Sequence, residues 1–207
     1  MAISGQSGVG KIVLFDDFCG PEFPVANAVA YGTSPTHAIL GPFRIVGDLA
    51  EIDTGVVSLA KANGYVRISG NDENGKGVAL ITEAVFSPAL NGTMVLETRL
   101  ELAALTARVI FAGFTATLAD DIAEPITSTG TTLTLTAANL CGFLLDSQLT
   151  SAAVWHMPYN GGTTTGKTTS TDVDSTQSAV AAESDILRVE IDPNGTARWY
   201  INGKLEQ

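Results

Sequence analysis

The sequence predicts an all-β protein, an antiparallel β-sandwich, and three observations carry that expectation. Short runs rich in β-branched and aromatic residues recur at intervals of about ten residues, the spacing of sandwich strands. Several of these runs alternate apolar with polar residues at the period of a half-buried strand. Six Asn-Gly pairs, beginning at Asn63, Asn74, Asn91, Asn160, Asn194 and Asn202, punctuate them. Type I′ hairpin turns favour this dipeptide because both of their central residues sit at positive φ. Strands separated by tight turns, without intervening helical periodicity, argue against an α/β scheme.

Residues 1–10 are small and polar with three glycines and read as a flexible arm, leaving residues 11–207 as a single sandwich domain. A first strand is predicted over 11–18, closed by Cys19, Gly20 and Pro21, and the Pro-, Ala- and Gly-rich text of 22–36 reads as a loop. Strands follow at 43–46, 55–60 and 65–69, the last two joined through Asn63-Gly64. A polar turn at 71–75 leads into a strand at 77–82, and Phe86-Ser87-Pro88 with Asn91-Gly92 makes another turn.

The alternation over 93–102 is the cleanest in the chain, with Met94, Leu96, Thr98, Leu100 and Leu102 opposite Val95, Glu97, Arg99 and Glu101. Residues 108–117 are apolar on both faces and are expected to form a central strand covered from both sides. Residues 120–129 read as a loop, 131–136 as an exposed strand alternating Thr with Leu, and 140–145 as a buried strand. The Thr-, Gly- and Ser-rich stretch 159–176 shows no apolar face and is expected to be a surface excursion. Residues 178–183 are the one predicted helical turn.

The carboxy-terminal stretch SDILRVEIDPNGTARWYINGK, residues 184–204, has the strongest local signal. Leu187, Val189 and Ile191 face one way and Arg188, Glu190 and Asp192 the other. After a turn at Pro193-Asn194-Gly195, Ala197, Trp199 and Ile201 oppose Thr196, Arg198 and Tyr200, so the stretch reads as a β-hairpin ending in Asn202-Gly203. A strand ending in Ile-Asp, a glycine turn and an aromatic return resembles the penultimate hairpin of concanavalin A-like sandwiches, the lectin and laminin-G type of jelly roll. That resemblance implies a jelly roll, and a further strand after Gln207 supplied by a partner or by the arm, or else an open edge.

Composition narrows the function. Charged residues make up only 16% against the usual ~25%, while 45% are hydrophobic and the mean hydropathy is +0.23. Such a surface relies on Thr, Ser, Asn and Ala, which suits contact with other subunits and equally a robust monomer. Eleven basic against 22 acidic residues give a net charge of −11, which repels phosphate backbones and argues against direct nucleic-acid binding. The amino terminus lacks the apolar stretch of a secretory signal and no run approaches the ~20 residues of a membrane span, so synthesis in a cytoplasm and no membrane partner are expected. Cys19 and Cys141 are expected to be buried free thiols, with a disulfide as the alternative.

Candidate chemistry competes with ordinary turn and strand explanations. Gly161, Gly166, Lys167 and Thr168 fit a phosphate-loop spacing, and Gly5, Gly10 and Lys11 fit most of one. Neither lies between a buried strand and a helix, the context that aims backbone N–H groups at phosphate. Glu51 with Asp53, and Glu190 with Asp192, each place two carboxylates about 7 Å apart on one strand face. Laminarinase-like hydrolases of this fold class add a third carboxylate, which neither pair has here. Asp72, Asn74, Asp192 and Asn194 are turn residues that are also calcium-ligand types. His37 and His156 are the only histidines, with no zinc spacing. The cluster containing Trp155, His156 and Tyr159 is the candidate carbohydrate contact, by stacking on a sugar ring. No catalytic set, cofactor or metal is expected.

A lectin-like sandwich with an arm, little surface charge and no catalytic set resembles the decoration or cement proteins of tailed-phage capsids. That resemblance implies a virion protein on the outside of the shell, often trimeric, whose partners are the major capsid protein and further copies of itself. A carbohydrate-binding module and a glycoside hydrolase of the same fold class are the alternatives.

Overall fold

A computed structural model of the chain describes residues 13–19, 38–40, 43–47, 55–59, 61–70, 77–82, 86–116, 124–162 and 164–207. These residues are mostly β, in antiparallel sheets. The arm predicted over 1–10 lies outside them. The chain divides into two compact units, Met1–Val85 with Leu118–Ala123 and Phe86–Thr117 with Glu124–Gln207; the domain expected over 11–207 spans both.

In the first unit, β1 (Ala38–Leu40), β2 (Phe43–Gly47) and β5 (Val78–Ile81) form one antiparallel sheet, with β2 in the middle. β3 (Gly55–Leu59) and β4 (Tyr65–Ser69) form a hairpin. Its turn places Asn63 at φ 69° and Gly64 at φ 64°, the backbone that an Asn-Gly pair tolerates. Gly64 has a second reason to lack a side chain: a Cβ there would lie 1.8 Å from the Asp17 carbonyl oxygen. Ile45 and Val56 form the buried centre, flanked by Phe18, Val66, Val78 and Leu80.

The strand expected at 11–18 is absent from its described part, 13–18. Asp16 Oδ1 accepts the N–H of Phe18 at 2.7 Å and Asp17 Oδ1 that of Cys19 at 3.1 Å. Short carboxylates that bond the backbone two residues on compete with a strand ladder, and they turn the chain here.

The second unit contains one helical turn, α1 (Pro88–Asn91), and two main sheets. In the first sheet, β6 (Met94–Glu101), β14 (Ser184–Ile191), β15 (Ala197–Ile201) and β16 (Lys204–Leu205) lie in the order β16-β15-β14-β6. The predicted hairpin is β14–β15, paired Leu187 to Ile201 through Ile191 to Ala197. Asn202 at φ 52° and Gly203 at φ 80° then turn the chain into β16. Burial follows the predicted alternation: Leu187, Val189, Ile191, Trp199 and Ile201 are buried, and Val95, Glu97 and Arg99 are exposed.

The second sheet is centred on β10 (Leu140–Asp146), every residue of which is buried. β7 (Val109–Thr115) pairs along its whole length on one side. On the other side run β11 (Val154–His156) and β12 (Tyr159–Asn160), two parts of one course interrupted at Met157-Pro158, and β13 (Asp174–Ser178) pairs outside β11. The central strand is therefore β10; β7 pairs with β10 alone among the described strands, yet, as expected, it is packed on both faces, with Phe114 against one group of buried residues and Phe111 against another.

The two sheets share one apolar core. Cys141, Phe143, Leu145, Trp155 and Met157 from the second sheet meet Met94, Leu187, Val189, Ile191, Trp199 and Ile201 from the first. The opposite face of β10 is buried too, because Leu140 and Leu144 pack with Ile126, Leu133, Ala137, Leu149 and Val173 in a second cluster. Ile126 and Leu133 belong to the hairpin of β8 (Ile126–Thr129) and β9 (Thr132–Leu135). This hairpin corrects two expectations. Residues 126–129 form a strand, where a loop was expected, and β9 turns Leu133 inward and only its threonines to solvent. The stretch 159–176 is likewise no free excursion, since Val173 is buried in this cluster and Tyr159 packs on the shared core. At 178–183 the chain makes a tight reversal between β13 and β14, with Ala182 at φ 62°, and no helix forms.

Candidate functional site

The two tryptophans of the chain each stand on one sheet and bond the other. Trp155, on β11, donates its indole N–H to Asp185 Oδ2 on β14 at 2.8 Å. Trp199, on β15, donates to the carbonyl of Gly142 on β10 at 2.8 Å. Both are buried, at 1% and 3% exposure. A buried indole N–H needs an acceptor, and each finds one across the layer gap, so the pair ties the sheets reciprocally. Asp185 is held in turn by Asn202 Nδ2 at 2.9 Å, and Asn202 Oδ1 accepts the N–H of Ile186 at 2.9 Å. Asn202 therefore serves both the turn backbone and the inter-sheet tie.

This geometry decides what the predicted sugar-binding cluster offers. The Trp155 ring meets Phe143 edge-on at 6.4 Å inside the core, so it has no face for a sugar. His156 points to the other side of the sheet and is fully buried. Tyr159 alone is half-exposed, and its ring leans on Trp199 at 6.1 Å. Two of the three residues proposed from sequence as carbohydrate contacts are thus core residues. The run 155–159 is aromatic on both faces because both faces are covered.

His156 Nε2 lies 2.7 Å from Asp174 Oδ1 on β13. Burial lowers the His156 pKa below its usual 6.5, and the opposing attraction of Asp174 and, more weakly, Asp146 only partly offsets it. Asp146 is itself buried, accepting hydrogen bonds from Ser128 Oγ and from the N–H of Gln148, the latter at 2.8 Å. Sequence reasoning missed Asp146, Asp174 and Ser128, because recognising them required knowing that a hairpin covers that face. Asp185 had a readable signal: it continues inward the alternation of Leu187, Val189 and Ile191.

The remaining candidates have local partners. Glu190 accepts from Arg188 Nε at 2.8 Å and Asp192, just past the end of β14, from Arg198 Nη1 at 2.8 Å, so each carboxylate has an arginine partner. Asn194 Oδ1 accepts the N–H of Thr196 at 3.0 Å, as a turn residue does. In the phosphate-loop spacing, Gly166 is explained by close approach, since a Cβ would lie 1.8 Å from the Tyr159 carbonyl oxygen. A three-residue 3₁₀ turn, Ser170–Asp172, follows it.

Cys141 is a buried free thiol whose pKa burial pushes up to about 12. Cys19, expected to be buried, is an exposed free thiol. His37, Glu51, Asp53, Asp72, Asn74 and the segment 5–12 lie outside the described residues. Among the described residues no group of three or more His, Cys, Asp or Glu is placed to hold a metal, and no helix is long and apolar enough to cross a membrane. No protein family model, no curated protein and no solved structure matches this chain.

Proposed function

We propose that this chain is a non-enzymatic structural protein of a virus particle, a capsid decoration or cement protein on the outside of a phage shell, built on a concanavalin A-like jelly roll. One observation carries the non-catalytic part. In the second unit several polar side chains of the kinds that proteins use for chemistry are engaged within the fold: His156 beside Asp174, Asp146 with Ser128, Asp185 between Trp155 and Asn202, Glu190 and Asp192 on arginines. Two sheets tied by reciprocal tryptophans suit a part that bears load. The low charge content and the net charge of −11 suit attachment to other protein subunits on the face of a shell away from packaged DNA. The glycan-binding alternative is weakened by the burial of Trp155 and His156.

Quantitative mass spectrometry of purified particles tests the reading. It expects this chain at a fixed copy number relative to the major capsid protein, and its absence from intact particles rejects the role.

A further inference from the structure

We infer that the outer face of the β16-β15-β14-β6 sheet is a surface on which two copies of this chain associate. The inference deepens the structural reading above, since it names one partner of the same adhesive chain. Because Leu187, Val189 and Ile191 point into the core, Ile186, Arg188 and Glu190 point out. The register sets Val95 beside Glu190 on β6, Tyr200 beside Arg188 on β15, and Leu205 beside Tyr200 on β16. Val95, Ile186 and Leu205 are 47%, 45% and 54% exposed, so three aliphatic side chains share one open sheet face. The other exposed large apolar residues of the unit, Leu90, Val109 and Val180, stand singly on different segments.

Charge selects the occupant. Arg188 bonds Glu97 at 2.9 Å and also Glu190, and Arg198 bonds Asp192. With Arg99 and Glu101, the face holds four carboxylates and three guanidinium groups, while carboxylates outnumber cations seven to three over the rest of the described unit. Two copies that meet over the rest of this unit set net negative charge against net negative charge. On this face the signs are mixed and nearly balanced, which is what a two-fold interface needs, since each patch must complement itself.

Size sets the strength. Strands of eight, eight, five and two residues at ~3.3 Å each, spaced ~4.8 Å apart, cover on the order of 360 Å² per copy. A pair therefore buries roughly 700 Å², below the ~1,000 Å² of a stable specific interface, so the dimer is weak and transient and fills only at high concentration.

Sedimentation equilibrium of the full chain over a concentration series tests this. The wild type is expected to move from 21.5 kDa toward twice that mass. Added salt should tighten the dimer, because screening relieves the net repulsion. Ile186→Glu and, separately, Leu205→Glu should raise the dimer Kd at least tenfold with an unchanged circular dichroism spectrum, whereas Val180→Glu should leave it unchanged. A strict monomer at every concentration, or an oligomer indifferent to both face variants, overturns the inference. Binding of the same proteins to particles separates the two readings. A monomer that still saturates particles defeats this inference alone, and a dimer that binds no particle defeats the decoration role alone.

Discussion

Trp155 and Asp185 are the sharpest test of how the two sheets are held together. Trp155→Phe keeps an aromatic ring beside Phe143 but removes the N–H that reaches Asp185 across the gap. Losing one hydrogen bond to a charged acceptor costs about 1.5–3 kcal/mol. Removing the extra buried ring carbons adds roughly 1 kcal/mol, for a combined expectation of ~3 kcal/mol. Asp185→Ala strands the same indole N–H from the other side, so the two losses overlap. A double-mutant cycle should give a coupling of about 1.5 kcal/mol. Trp199→Phe combined with Asp185→Ala is the control: Trp199 pairs with Val189, four residues along β14 from Asp185, or ~13 Å at strand rise, and those losses should add to within ~0.5 kcal/mol. Urea unfolding followed by the fluorescence of whichever tryptophan remains reads the second unit, since both lie within it. A Trp155–Asp185 coupling no larger than the control would refute the reciprocal tie.

Other outcomes follow from the same geometry. The folded His156 pKa lies below 6.5, so the unfolded chain binds the proton more readily. Stability should be full above pH 6.5 and fall as the pH drops from 6.5 toward the folded value; denaturant midpoints should show this slope, and His156→Gln should flatten it. Burial works against Glu206, but hydrogen bonds from Thr176 and the charge of Lys204 outweigh it and hold its pKa down at about 2. Its contribution is present above pH 4.5 and lost as the pH falls through about 2, and Glu206→Gln should remove that acid limb. A maleimide should label the native chain at Cys19 alone and reach Cys141 only after denaturation. Gly113 and Gly142 face each other between β7 and β10, where a Cβ on Gly113 would come within 2.4 Å of the Cys141 carbonyl oxygen. Gly113→Ala should cost about 1–3 kcal/mol through overpacking, measured by the same urea unfolding.

How much of this was legible depended on whether one face or two was buried. The β14–β15 hairpin and β6 could be read residue by residue, because a single buried face leaves a period-two record and Asn202-Gly203 marks the turn. The third layer could not. Ile126, Leu133 and Val173 are single apolar residues in Thr- and Ser-rich text, and they become core only because Leu140 and Leu144 lie beneath them. The same hidden layer misled the reading of Trp155 and His156. A strand covered on both faces carries an aromatic residue in one direction and a histidine in the other, and from sequence alone that looks like an exposed binding edge. Local carboxylate turns at Asp16 and Asp17 likewise overrode an apolar run that otherwise reads as a strand.

The most direct test of the structural role is reattachment. Particles made without this chain are titrated with the purified protein, and the bound fraction is measured by sedimentation. The account predicts saturable binding at a fixed ratio to the major capsid protein; the absence of saturable binding to assembled shells would contradict it.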